Sequence, residues 1–320
     1  MKLLIIKTSS LGDVIHNLPI IADIRTHYKE IEIDWLVEAS FADIPKLHPA
    51  VNEVIPISIR QWRKALFSKK TWQDIGELKQ RLAAKQYDIV LDSQGLLKSA
   101  LLGTLANGKK HGYDRSSIRE PIASLFYQVK HTVSRKQHAV ARNRTLAAAT
   151  FGYSLPSQLP DFGIQASAHV SANIPSPYVM GLHGTSRDSK LWETASWISL
   201  GQALAERQLH LVLPWSNEQE LKRANFIASK LANATVLPKL GIAQLASVIS
   251  QAKAAIGVDT GLSHLAAALN IPTVAIYTDT NPTLTGVCPG AYARAINLGG
   301  IQLSPSVSEV SEALTQIIQS

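Results

Sequence analysis

The stretch KLLIIKTSSLGDVIHNLPIIADIRTHYKEIEIDWLV, residues 2–37, decides how the rest of the chain is read. KLLIIK is an apolar run of strand length that stops at a polar loop, TSSLGD. From Asp13 to Tyr28, Leu18, Ile21, Ala22 and Arg25 recur at helical spacing, and IEIDWLV is a second strand of the buried type. Continuous apolar strands separated by amphipathic helices are the mark of a parallel sheet covered on both faces. YDIVLDSQG, residues 87–95, adds another such strand.

The rhythm lapses over residues 152–177, a weakly periodic stretch rich in Ser, Pro and Gln that reads as a linker. It then restarts. YVMGLHG, LHLVLPW, AAIGVDTG and TVAIYT read as strands, with helices expected over 194–207, 218–231 and the short SHLAAAL. The fold class expected is α/β, with two Rossmann-like domains, 1–165 and 172–305, facing across a cleft. A C-terminal helix over 306–320 fits either domain, the first included. In open α/β sheets ligands bind beyond the carboxyl ends of the strands. Those ends carry KTSSLGD, DSQG, HGTSRDSK, PWSNEQE and VDTGLSH, the most polar loops of the sequence.

Composition narrows the classes. The chain has 320 residues and is 46% hydrophobic, enough for two ordinary cores. No apolar run reaches membrane-spanning length, and Leu3 to Ile6 is too short for a signal-peptide core, so a cytoplasmic location is expected. The single cysteine, Cys288, rules out an internal disulfide and a multi-cysteine metal site. The net charge of +8 is unevenly spread: residues 60–144 hold 18 Lys/Arg against 6 Asp/Glu, and the rest of the chain 14 against 18. That basic region attracts a polyanion or is simply a solvated face. Nucleic acid ranks low as the partner, because stacking aromatics are not interleaved with the cations.

Several loops carry chemistry. In VDTGLSH, Asp259 or Thr260 caps a helix whose free N–H groups form an anion site, and Gly261 allows close approach of a phosphate. In HGTSRDSK, Thr185, Ser186 and Lys190 offer two hydroxyls and an ammonium suited to a diphosphate. In PWSNEQE, Glu218 and Glu220 suit the helix dipole, and Glu218 is the candidate for ribose hydroxyls. Asp13 reads locally as a helix cap or as a general base. GxGxxG, P-loop, HExxH, GxSxG and DxD motifs are all lacking.

Taken together, KTSSLGDVIHNLP, RQWRKALFS, DSQGLLKSALL, REPIASLFY, KQHAVARNR, HGTSRDSKLW and VDTGLSHLAAAL resemble the lipopolysaccharide heptosyltransferase I family over Met1 to about Tyr277. The resemblance implies a GT-B fold, with an acceptor domain at 1–165 and an ADP-sugar domain at 172–305. It implies inverting transfer of L-glycero-D-manno-heptose from ADP-heptose to the first Kdo of Kdo2-lipid A, with no metal and no cofactor beyond that donor substrate. Asp13 then matches the base and Lys190 the leaving-group cation. Thr185, Ser186, Lys190, Glu218, Leu240, Asp259, Thr260, Gly261 and His264 match the donor site. Ser10, Arg60, Arg63, Lys64, Arg119, His138, Arg142 and Arg144 are expected to face the acceptor's Kdo carboxylates and lipid A phosphates. Trp62, between Arg60 and Arg63, packs on the sugar or anchors its own loop. Peripheral attachment to the anionic cytoplasmic face of the inner membrane is implied as well. One departure stands out: IYTDTNPTLTG replaces the family's usual YGPTDP near the donor. Transfer to a later core heptose, use of another ADP-sugar, and non-catalytic binding of an anionic glycolipid are the competing readings.

Overall fold

The computed structural model describes residues 1–166 and 174–318. The chain divides into two compact units, Met1–Ser157 and Gln158–Ser320. The expected second-domain start at 172 and the linker residues 167–173 lie outside the described residues, as do the last two residues of the expected C-terminal helix. The first unit stops short of residue 165. Pro160 already accepts a hydrogen bond from Ala291 N at 3.0 Å, which ties that segment to the second unit.

The first unit is a six-stranded parallel sheet of β1 (Lys2–Ile6), β2 (Glu32–Glu38), β3 (Glu53–Ile57), β4 (Gln86–Asp92), β5 (Asn107–Tyr113) and β6 (Val129–His131), ordered β3-β2-β1-β4-β5-β6. The second repeats the plan with β7 (Tyr178–Leu182), β8 (His210–Leu213), β9 (Ala234–Val236), β10 (Ala254–Val258), β11 (Thr273–Tyr277) and β12 (Ala295–Gly299), ordered β9-β8-β7-β10-β11-β12. Each is the doubly wound Rossmann order, with its switch point between the first and fourth strands. This is the α/β architecture of two Rossmann-like units that the sequence predicts, and of the GT-B type that the resemblance implies.

The central strands are buried because both faces carry helices. Leu3 to Ile6 and Ala254 to Val258 are covered end to end. Register brings the polar loops side by side: Ile6 pairs with Asp92 in the first unit, and Gly257 with Leu182 in the second. Thus KTSSLGD leaves the sheet beside DSQG, and HGTSRDSK beside VDTG.

The helix expected over 13–28 is two helices, Leu11–Ile15 and Pro19–His27. Pro19 has no N–H to continue the ladder and takes the first position of a new helix. Two strands of the basic region, β5 and β6, and the helix Lys69–Ala83 are absent from the sequence-based outline. The C-terminal helix Val307–Ile318 belongs to the second unit, not the first. Val310, Ala313, Leu314 and Ile317 complete the core formed by Trp192, Trp197, Ile256 and Ile276.

Candidate active site

In the first unit the loop after β1 is organised by its own side chains. Ser10 takes the N-cap position of the helix Leu11–Ile15, and Asp13 Oδ2 accepts from Ser10 N at 2.7 Å and from Ser10 Oγ at 3.0 Å. This reciprocal capping box holds the Asp13 carboxylate at the strand end. Both bonds fall on Oδ2. Gln94 Oε1 accepts from Thr8 N at 2.9 Å and Ser9 N at 3.1 Å, so the DSQG loop pins the one that carries Asp13.

Beneath this loop lie charges that composition could not locate. Lys7 is buried and donates from Nζ to the Ser93 carbonyl at 2.9 Å. Burial lowers its pKa, with Asp13 and Asp92 opposing and Arg142 reinforcing the shift. Burial raises the pKa of Asp92, opposed by the hydrogen bonds from Tyr127 Oη at 2.7 Å and from the Gly95 and Gln94 N–H groups. Asp13, Lys7, Asp92 and Arg142 therefore share one electrostatic neighbourhood. His138 caps the helix Ala139–Phe151 by accepting from Val140 N at 3.2 Å, and its ring meets His16 edge-on at 5.5 Å. Arg142 lies over the Tyr113 ring at 4.5 Å and donates to the Ser117 carbonyl at 2.5 Å, so its guanidinium is fixed in orientation.

The remaining acceptor candidates separate. Arg60, Arg63, Lys64 and Arg119 are exposed, the first three on the helix Ile59–Lys64. Arg60 lies 5.4 Å from the Phe41 ring. Trp62 anchors its own loop: its indole donates to Asp74 at 3.2 Å, and it packs on the core behind β3. Arg144 is a correction. It is buried, and its Nε and Nη2 grip both oxygens of Asp23 at 2.7 and 3.0 Å, so its charge is used inside the fold. Arg81 and Lys85 are likewise paired, with Glu53 and, for Lys85, with Asp34. The basic surplus open to a ligand is smaller than the residue count suggests.

In the second unit three strand ends converge. Lys190 Nζ donates to Asp259 Oδ2 at 2.7 Å, and Thr185 Oγ1 donates to the Asp259 carbonyl at 2.8 Å. Asp259 follows β10, and Thr260 then occupies the N-cap of the helix Gly261–Ala268 without a side-chain capping bond. The N–H groups of that first turn carry no side-chain cap, and two residues before them Asp259 holds the Lys190 ammonium. His264 is buried on the same helix, Ser186 is exposed beside Thr185, and Leu240 is half-buried after β9.

A concavity next to Thr185 is lined by His183, Gly184, Asn217, Glu220 and Arg223. The carboxylate that enters it is Glu220, not Glu218. A side chain at Gly184 would strike Glu220 Cδ at 2.7 Å, so glycine there leaves room for the carboxylate. Glu220 also accepts from Ser216 N and Oγ at 2.7 and 2.8 Å, whereas Glu218 is exposed at the start of the helix. His183 is fully buried, and burial pushes its pKa down to about 4, so it is neutral at physiological pH. The divergent loop after β11 folds back on the lysine loop: Thr278 Oγ1 donates to the Ser189 carbonyl at 2.8 Å, and Ser189 Oγ to Asp279 at 2.6 Å.

Residues 75–315 match glycosyltransferase family 9 (heptosyltransferase). The chain belongs to glycosyltransferase family 9. Among family 9 proteins, lipopolysaccharide heptosyltransferase 1 of Pseudomonas aeruginosa is 45% identical over 93% of this chain and 84% of its own length. The Escherichia coli protein of the same name is 44% identical over 93% of this chain and 96% of its own length. The solved E. coli heptosyltransferase WaaC with ADP superposes with a TM-score of 0.91 at 42% identity, covering 99% of each chain. The same enzyme with ADP-2-deoxy-2-fluoro heptose gives 0.87, covering 100% of this chain and 99% of that one. Family 9 membership makes this chain a glycosyltransferase.

Proposed function

We propose that this family 9 enzyme transfers L-glycero-D-manno-heptose from ADP-heptose to the first Kdo of Kdo2-lipid A, with inversion and without a metal. The observation that carries this reading is the convergence of Lys190, Thr185 and the uncapped turn at Gly261 on one point beyond β10. A sugar diphosphate leaves with charge building on its terminal phosphate. An ammonium and oriented N–H groups already in place stabilise that charge without reorganising. Thr185 and Ser186 add hydroxyls, Glu220 replaces Glu218 as the ribose carboxylate, and Asp259, Thr260, Gly261 and His264 border the sugar. Leu240 is the adenine-side contact. The structural relatives named for ADP and a heptose analogue support the choice of donor.

Inversion requires a base opposite the leaving group. Asp13 takes that role: Oδ1 accepts the proton of the Kdo hydroxyl while Ser10 holds Oδ2. Arg60, Arg63, Lys64, Arg119, His138 and Arg142 bind the acceptor's carboxylates and phosphates. No helix among the described residues is long and apolar enough to cross a membrane. The lipid-linked acceptor is met, in this reading, by peripheral association with the anionic cytoplasmic face.

The test is to incubate purified protein with ADP-heptose and either Kdo2-lipid A or its heptosylated form, with and without EDTA, and to read products by mass spectrometry. One added heptose on Kdo2-lipid A alone, at an EDTA-independent rate, is expected. Addition only to the heptosylated acceptor overturns the acceptor assignment. Loss of rate in EDTA, restored by Mg²⁺, overturns the metal-free mechanism.

A further inference from the structure

The turn joining the helices Ile59–Lys64 and Lys69–Ala83, with the first turn of the second helix, carries three large exposed apolar side chains. Phe67 is 103% exposed, Trp72 62% and Leu66 53%. From Ile59 to Gln73 the chain has five cations, Arg60, Arg63, Lys64, Lys69 and Lys70, and no acidic residue. Phe67 is flanked on both sides by these cations, and all five are exposed.

The turn is also built to leave water cheaply. The Ala65 carbonyl accepts from Thr71 Oγ1 at 2.8 Å and from Ser68 N at 3.0 Å, and the Leu66 carbonyl accepts from the Trp72 indole at 2.8 Å. The Ala65 and Leu66 carbonyls are thus satisfied from within, so inserting the turn does not strand these two acceptors in a poorly hydrated layer. Ile301 and Leu303, 59% and 67% exposed, offer a contrast, with no Lys or Arg from 301 to 320.

We propose that this turn is a membrane-docking tip. Leu66, Phe67 and the Trp72 ring enter the interfacial layer of an anionic bilayer, while Arg63, Lys64, Lys69 and Lys70 meet its headgroups. Charge complementarity selects the lipid: each cation near an anionic surface adds attraction, which salt screens, and the apolar tip adds a contribution that salt does not remove. The inference deepens the peripheral association proposed above, and it holds whichever sugar is transferred. Docking through this turn brings the neighbouring Arg60, Arg63 and Lys64 to the plane where a lipid-anchored acceptor presents its phosphates.

The test uses the full chain and vesicles that contain no acceptor: phosphatidylglycerol mixed with phosphatidylethanolamine, against phosphatidylcholine alone. Wild type is expected to co-sediment with the anionic vesicles only. Leu66→Ser/Phe67→Ser should lower the partition coefficient roughly tenfold or more, from the apolar area kept in water, while Ile301→Ser/Leu303→Ser should leave it unchanged. The tip variant should also transfer sugar to a deacylated, water-soluble acceptor at the wild-type rate. Equal partitioning of wild type and tip variant, or no binding of wild type to anionic vesicles, overturns the proposal. Loss of transfer to the soluble acceptor overturns it as well, since the tip would then serve the acceptor and not the bilayer. If transfer fails for wild type, the vesicle result still stands alone, so the two readings fail separately.

Discussion

Replacing Lys190 by alanine probes the donor site at its most charged point. Lys190 and Asp259 form an ion pair at 2.7 Å, with side chains 19% and 14% exposed. In the proposed function, an arriving diphosphate draws the ammonium from this carboxylate to a phosphate, or the ammonium bridges both. The gain is that of one charge-assisted hydrogen bond, about 1.5–3 kcal/mol. At about 1.4 kcal/mol per factor of ten, Lys190→Ala should weaken ADP binding roughly 10- to 100-fold by calorimetry. Asp259→Asn separates the two effects. It removes a negative charge from beside the diphosphate and leaves Lys190 in place, so ADP affinity should hold or rise while heptose transfer falls. Circular dichroism should show both variants folded, since the pair lies at the rim of the unit. Unchanged ADP affinity in Lys190→Ala, with the fold intact, would refute the assignment. Weakened ADP binding in Asp259→Asn would show that the carboxylate positions Lys190 rather than competing for it.

Asp13→Asn keeps an acceptor for the Ser10 bonds but cannot take a proton, so transfer should fall roughly 10²-fold or more with donor affinity preserved; near wild-type turnover removes Asp13 as the base. Arg144→Ala strands the buried Asp23 carboxylate and should cost about 3–5 kcal/mol in denaturant unfolding. An unaltered midpoint with a selective loss of acceptor binding would return Arg144 to the site. Glu220→Ala should weaken ADP binding far more than Glu218→Ala in the same titration, and the reverse order restores Glu218. His183 sets a pH dependence: its pKa is depressed to about 4 in the fold, so the unfolded chain binds more protons between that value and the usual one. Its contribution is present above the unfolded pKa and is lost as pH falls toward 4. Between pH 7 and 5 this amounts to about 2 kcal/mol, which His183→Gln should remove from the stability curve. An identical pH slope in that variant would contradict the assignment.

Much of this molecule is written locally. The apolar run Leu3–Ile6 and its counterpart Ala254–Val258 are strands because both faces of a parallel sheet are dry, and that requirement leaves a continuous signature in sequence. The polar loops follow from it, since a buried strand can place polar groups only at its ends. Hence Asp13, Thr185, Lys190 and Asp259 were legible as strand-end residues before their contacts were known. The charge surplus of residues 60–144 was legible too, but not its allocation, because a count cannot tell a cation gripping Asp23 from one facing water.

Tertiary structure decided the rest. Glu218 and Glu220 are equally favoured by a helix N-terminus, yet two residues on a helix turn through about 200°, so only the packing of that helix beside Gly184 selects Glu220. The C-terminal helix shows its apolar stripe in sequence, but any core of matching shape satisfies such a stripe, and the one beside Trp192 and Ile256 claims it. Sequence alone determined the apolar central strands, the loops at their ends and the family they resemble, because burial periodicity and loop chemistry are short-range. Which charges meet, which carboxylate enters the donor concavity and which aromatic is left bare at the Leu66–Phe67 turn depend on residues distant in the chain, and only the folded units bring those together.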